Sequence, residues 1–300
     1  MGEADRNGRQ SASETIAAQQ AAARRAERRR QMAMVGGSIV AVLAIVAAFI
    51  GYSAFHKSGT AAAAKSVSAV ESEITSVPAS TLNAVGKGKA SALFPVSGAP
   101  ALTAQGKPEI LFAGAEYCPY CAAERWALTV ALSRFGTFSG LHFIHSSSTD
   151  SYPSTPTLTF YKSSYTSKYL TFEPVEWYGE TPDSSSPVGY APLQNPTAAQ
   201  QALVTKYETP PYVPAAVKDA FPYVDIGNKY LVAGAQYLPS VLHGLTWAQV
   251  AAAIKNPSSA VAKDIDGAAN IITAAICKVT NNKPGAVCSS AAAQAGMGGL

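Results

Sequence analysis

Cys118-Pro119-Tyr120-Cys121 is the segment of this chain whose residue types and spacing can do chemistry. It follows a continuously apolar run at 110–115. It precedes an uninterrupted stretch in which Ala122, Trp126 and Val130 recur at helical spacing. Two cysteines separated by two residues, at a strand end that opens a helix, read as a dithiol–disulfide couple. The first sulfur meets unpaired N–H groups and the positive end of a helix dipole, which favour its thiolate. The second lies one turn on, within reach of a mixed disulfide formed by the first. Cys118 is therefore the expected nucleophile and Cys121 the resolving thiol. Pro119 suits the first helical turn, where its missing N–H costs nothing.

Half of a zinc site is the competing reading, but such sites need a second close pair of ligands. Cys277 and Cys288 are too far apart for that, and His142, His145 and His243 have no ligand spacing to a partner. In an oxidising compartment Cys277 and Cys288 are expected to form a structural disulfide; a second redox relay to the first pair is the alternative. Glu116 and Glu124 are the nearest candidates for a proton acceptor, and Glu124 is expected to be solvated. Tyr161, Tyr165, Tyr169, Trp177 and Tyr178 are read as core and hairpin-face residues.

A strand–helix–strand unit must position the cysteines, with its second strand expected at 140–145. Two antiparallel hairpins should follow. One joins 157–161 to 168–172 across 163–167. The other joins 223–226 to 229–233 through a two-residue Gly227-Asn228 turn. Helices are expected over 196–207, over 246–254 with Thr246 as N-cap, and over 258–278. Breakers at Pro78, Gly86, Gly88, Pro95, Gly98 and Pro100 make 77–105 a loose lead-in packed on the domain.

Cys118-Pro119-Tyr120-Cys121 in this setting resembles the glutaredoxin motif of the thioredoxin-like superfamily. Phe221-Pro222, followed by a hairpin and a helix, resembles the second half of that fold. The resemblance implies a cis proline facing the cysteines at Pro222; Pro156, in Thr155-Pro156-Thr157, competes for that role. Tyr117 stands where thioredoxins usually carry tryptophan, and Tyr120 lies between the cysteines. The buried acid that thioredoxins place in the preceding strand has no counterpart at Phe112, and the glutathione-binding basic set of glutaredoxins is not matched. More closely, residues 75–290 resemble an uncharacterised prokaryotic family of single-pass, thioredoxin-like proteins known as a domain of unknown function. That likeness rests on Glu116–Cys121 with Glu124-Arg125-Trp126, on Tyr152–Thr157, and on Asp225-Ile226-Gly227-Asn228.

Composition and charge set the compartment. Apolar residues make up 48% and charged ones 14%, which excludes disorder throughout. Of 23 basic and 19 acidic residues, seven and four lie in 1–31, leaving 16 and 15 for the rest. No basic groove for nucleic acid is implied. Residues 32–55 carry no charge and are long enough to cross a bilayer core of ~30 Å as a single helix. Arg28-Arg29-Arg30 directly before it place the arm in the cytoplasm by the positive-inside rule. A cleaved signal peptide, with Ala54 or Ala61–Ala64 at the cleavage site, is the alternative.

The expected fold class is α/β (α+β): a thioredoxin-like ectodomain with an insertion, preceded by one transmembrane helix. The expected divisions are a basic cytoplasmic arm (1–31), the transmembrane helix (32–55), a spacer (56–76), the extracytoplasmic domain (77–290, insertion about 150–215) and a tail (291–300). The expected function is membrane-anchored thiol–disulfide exchange with protein thiols and disulfides, needing no cofactor. A membrane or extracytoplasmic redox partner would complete the cycle. A redox-inactive binding or scaffold module is the alternative.

Overall fold

From Ile110 to Ala115 every side chain is buried, so the strand that carries them must be covered on both faces. The computed structural model describes residues 67–300; the arm, the apolar segment 32–55 and the first part of the spacer lie outside the described residues. In chain order the first half forms α1 (Val67–Thr75), α2 (Ala79–Val85), β1 (Phe94–Pro95), β2 (Thr103–Ala104), β3 (Lys107–Ala115), α3 (Pro119–Leu132), β4 (Gly136–Ser139), β5 (His142–His145), β6 (Pro156–Thr159) and β7 (Ser164–Ser167). Then come β8 (Thr171–Pro182), β9 (Tyr190–Pro192), α4 (Ala198–Tyr207), β10 (Tyr223–Ile226), β11 (Tyr230–Ala233), α5 (Trp247–Ala253), α6 (Ala260–Val279), α7 (Gly285–Cys288) and α8 (Ala291–Gly296).

The main sheet is mixed, in the order β1-β11-β10-β3-β8-β9, with β2 also paired to β3. β3 and β8 run parallel, whereas β10 lies antiparallel on the other side of β3. The strand period of two sends alternate side chains of β3 into two cores. Ile110 and Phe112 join Trp126, Leu128, Ile265 and Ile272, from α3 and α6. Leu111 and Ala113 join Val204 and Tyr207 of α4, with Tyr223 and Leu231. α6 is buried along most of its length and starts at Ser259, whose hydroxyl accepts from Ala262 N–H at 2.9 Å. Gly267 lets the 86–91 segment approach this helix: a Cβ there would lie 2.6 Å from the Lys87 carbonyl oxygen.

Among the described residues no helix is long and apolar enough to cross a membrane. The expected spacer and tail take structure where they are described. Val70 and Ile74 of α1 are buried in the main core, as are Leu82 of α2 and Ala292 of α8. The lead-in is tied down by backbone bonds from Lys89 N–H to Lys263 and from Leu93 N–H to Gly299.

Three expected pairings are corrected. Residues 140–145 do not supply the second parallel strand; that strand is β8, inside the segment expected to be an insertion. The 157–172 hairpin does not form either. β6 pairs back with β5, and β7 with β4, so that 136–145 and 156–167 make one interrupted antiparallel ribbon. Strand-like alternation marks a strand but not its partner, and here an aromatic cluster decides. Phe138 of β4 packs against Phe160, Tyr165 and Phe172 at 4.8–5.9 Å between ring centroids. The β10–β11 hairpin forms, but its last pair is Ile226 with Tyr230, which makes the turn three residues rather than two. Gly227 and Asn228 both take positive φ there, 67° and 54°. Helices start and stop within about two residues of the expected ends, with Thr197 and Thr246 both forming capping boxes.

Candidate active site

Cys118 is the N-cap of α3, with extended backbone at φ −77° and ψ 122°. Its Sγ accepts a hydrogen bond from Cys121 N–H at 3.4 Å, as a cap side chain should. Pro119 is the first residue of the helix and is buried. Ala115, at the end of β3, holds the turn from both sides. Its carbonyl accepts from Cys118 N–H at 3.2 Å, and its own N–H donates to Cys121 Sγ at 3.4 Å. Neither cysteine is bridged. Cys118 keeps 7% of its surface exposed and Cys121 none, so the first sulfur is the one a partner can meet.

The two thiols are driven apart electrostatically. Hydrogen bonding from the Cys121 side chain, then Cys121 N–H and the Arg125 charge, pull Cys118 below the ordinary cysteine range against the cost of burial. Burial first, then the hydrogen bond and charge of Cys118, push Cys121 well above it, with Arg125 opposing. One thiol suited to ionise and one that holds its proton is the asymmetry that thiol–disulfide exchange uses.

Phe221-Pro222 is a cis peptide, and the Phe221 carbonyl oxygen lies 3.9 Å from Cys118 Sγ. Pro156 is not among the cis prolines of the described residues. It begins β6, and its carbonyl accepts from Trp126 Nε1 at 2.9 Å. Thr157 Oγ1 beside it donates to the Ala122 carbonyl at 2.8 Å, which fixes the ribbon along α3.

Tyr117 and Tyr120, on either side of Cys118, belong to a rim of half-buried aromatic rings. Tyr117 stacks on Tyr190 at 4.2 Å and 6° between planes, and lies 6.4 Å from Tyr178. Tyr120 stands edge-on to Tyr152, 5.7 Å away. Phe221 meets Trp177 edge-on at 5.3 Å. Ser147 ties two loops to this rim: its N–H donates to the Tyr117 carbonyl, and its hydroxyl bonds the Tyr190 hydroxyl. Burial raises the Tyr117 phenol to about 12. Tyr178 packs against the core of Phe112 and Trp126 and Trp177 against that of Leu111 and Tyr223, as read from the sequence.

The acids need correcting too. Glu124, expected to be solvated, is fully buried, and burial lifts its carboxyl to about 7 against one hydrogen bond from Gln236 N–H at 3.0 Å. Its carboxylate accepts from Gln236 N–H, and its charge acts on Tyr237. Glu116 is buried as well, and its carboxyl is raised, by burial first. The charge that acts on the sulfurs is Arg125, which sequence reasoning missed as a site residue. Its Nε and Nη2 bond both oxygens of Glu176 at 2.8 and 2.7 Å. One signal was available: Glu116, Glu124 and Arg125 are the only charges between Ile110 and Ser133, and a charge in a buried run needs a partner.

Cys277 and Cys288 are joined as a disulfide, linking the end of α6 to α7. Among the described residues no group of three or more His, Cys, Asp or Glu is arranged to hold a metal ion. His142 and His145 lie on β5, where the His145 ring packs against Trp247 at 4.7 Å.

A family profile described as a domain of unknown function, DUF929, matches residues 93–278. The chain belongs to that family. No curated protein and no solved structure matches it. In this DUF929 chain the matched span holds Cys118, Cys121, Arg125, Glu176 and Pro222, so the whole candidate site is family territory. It stops short of Cys288, and the second half of the disulfide is contributed from outside it.

Proposed function

We propose that this DUF929 chain is a thioredoxin-like thiol–disulfide oxidoreductase acting on protein thiols and disulfides. The observation that carries the reading is the placement of Cys118: it caps α3, accepts the Cys121 N–H and faces the carbonyl before a cis proline. The charge pattern of 1–31 and the uncharged 32–55 extend the proposal to a membrane-anchored protein with its cysteines on the extracytoplasmic side.

In the reductive direction the Cys118 thiolate attacks one sulfur of a substrate disulfide. A Cys118–substrate disulfide forms and the other substrate sulfur leaves as a thiolate. That leaving thiolate takes the Cys121 proton. The Cys121 thiolate then attacks Cys118 Sγ, forming the Cys118–Cys121 disulfide and releasing the second substrate thiolate. Two protein thiols are oxidised and one substrate disulfide is reduced. The oxidative direction is the reverse, and a dithiol or disulfide partner resets the pair. Cys121, the fully buried sulfur, serves the intramolecular step, and Cys118 serves the intermolecular one.

The test uses the full-length chain with insulin as disulfide substrate. C121S should accumulate mixed disulfides that reductant releases. C118S should accumulate none and lose turnover. Full turnover by C118S would sink the reading. So would a Cys118–Cys121 couple that stays oxidised in buffers far more reducing than its compartment, an outcome that favours a redox-inactive binding module.

A further inference from the structure

α3 buries two adjacent charges completely, Glu124 and Arg125, and only the second acts on the thiols. Arg125 is held on two sides. Glu176 of β8 takes Nε and Nη2, and Nη2 also donates to the Ala115 carbonyl at 2.8 Å. That is the carbonyl which accepts Cys118 N–H, on the residue whose own N–H reaches Cys121 Sγ. Glu176 is held in turn, accepting from Phe160 N–H at 3.4 Å and sitting on a strand fixed by Gln194.

A buried ion pair is weak support for stability, because apolar residues of similar volume often serve as well or better. A third nitrogen of Arg125 sharpens the point. Nη1 is buried and has no hydrogen-bond partner among the described residues, and an unsatisfied buried donor is costly. Of the neighbouring acids, Glu176 is engaged at both oxygens, burial favours the neutral form of Glu116, and Glu180 is exposed to solvent. The anion that arises in this pocket is a thiolate.

We propose that Arg125, seated by Glu176 and Ala115, is the electrostatic positioning residue of the thiol pair, stabilising negative charge first on Cys118 and then on Cys121. The inference rests on the thiol–disulfide reading and names how the site manages its charge. One fixed cation serves both steps. When the mixed disulfide forms, Cys118 loses its charge, and the same guanidinium then favours ionisation of the buried Cys121. In low dielectric such a fixed charge is worth far more than in water and needs no reorganisation.

Other groups facing the sulfurs or the guanidinium are the Tyr117 and Tyr120 phenols, both held above their ordinary values, and Glu116, Glu176 and Glu180. Asp150 acts on the two tyrosines. The experiment reads each thiol separately: Cys118 from the pH dependence of its alkylation by iodoacetamide, and the unexposed Cys121 from the pH dependence of its thiolate ultraviolet absorbance. Cys118 is read in full-length C121S and Cys121 in full-length C118S, with E116Q as a control for the neighbouring acid. Adding R125M/E176M, which removes both charges of the pair together, should raise both midpoints by about 1 pH unit, and R125K should raise them less. Midpoints unmoved by R125M/E176M would overturn the proposal and leave Arg125 a structural residue. If that double variant does not fold, R125K decides alone, and an unmoved midpoint in it has the same meaning. Failure of insulin turnover with midpoints that do respond to Arg125 would overturn the oxidoreductase reading, and with it the order of the two steps, while leaving Arg125 as the cation that stabilises both thiolates.

Discussion

Arg125 and Glu176 face each other from α3 and β8 as a two-point pair, Nε to Oε1 at 2.8 Å and Nη2 to Oε2 at 2.7 Å, with neither side chain exposed. Through it the helix that carries the cysteines is joined to the strand that runs parallel to β3. The guanidinium also lies 5.7 Å from the Phe112 ring centroid, so the pair is enclosed by the core. Burial pulls the Arg125 guanidinium down, but Glu176 more than offsets it and the group stays charged.

Removing one member of this pair should cost far more than removing both. R125M leaves a buried carboxylate and is expected to lower stability by about 3–5 kcal/mol. R125M/E176M should recover most of that loss. Denaturant unfolding of the two variants and of E176M makes the comparison. Equal losses in single and double variants would mean the pair is not closed in solution.

Glu124 predicts a pH dependence of stability. Its folded value of about 7 lies above the ordinary 4.5, with burial as the cause. The folded state thus holds the proton more tightly than the unfolded chain. Its contribution is complete below about 4.5 and is lost as pH rises through about 7. E124Q, neutral at all pH, should match the wild type near pH 5 and be the more stable near pH 8, by about 3 kcal/mol at most. Melting temperatures across that range test it; parallel curves would refute the buried carboxyl. Asp266 on α6, raised by burial to about 8 with both oxygens unpartnered, adds a loss of the same sign.

The Cys277–Cys288 disulfide closes a short loop of eleven positions. Chain entropy gives it about 2–3 kcal/mol. C277A/C288A should lose about that much in unfolding experiments while the alkylation midpoint of Cys118 stays put. A moved midpoint would instead connect the two cysteine pairs.

G267A sets helix propensity against packing. Alanine is the better helix former by about 1 kcal/mol, but its Cβ would fall 2.6 Å from the Lys87 carbonyl oxygen. The variant should be less stable than wild type by about 1–3 kcal/mol. A higher melting temperature would show that the 86–91 segment is not seated on α6.

Some of this molecule is written locally. Cys118 and Cys121 at a strand-to-helix junction, Pro119 in the first turn, the capping boxes at Thr197 and Thr246 and the β10–β11 hairpin all depend on neighbours within a few positions. The period of apolar residues and the chemistry of turn residues encode such neighbours directly. The tertiary structure decided the rest. It chose β8 over 140–145 as the parallel partner of β3, turned 136–167 into one ribbon, buried Glu124, and brought Tyr190 onto Tyr117. Above all it set Glu176 against Arg125, 51 positions away. Partners so distant leave no period in the chain, because what selects them is the filling of a shared core and the need of a buried charge for its counter-charge.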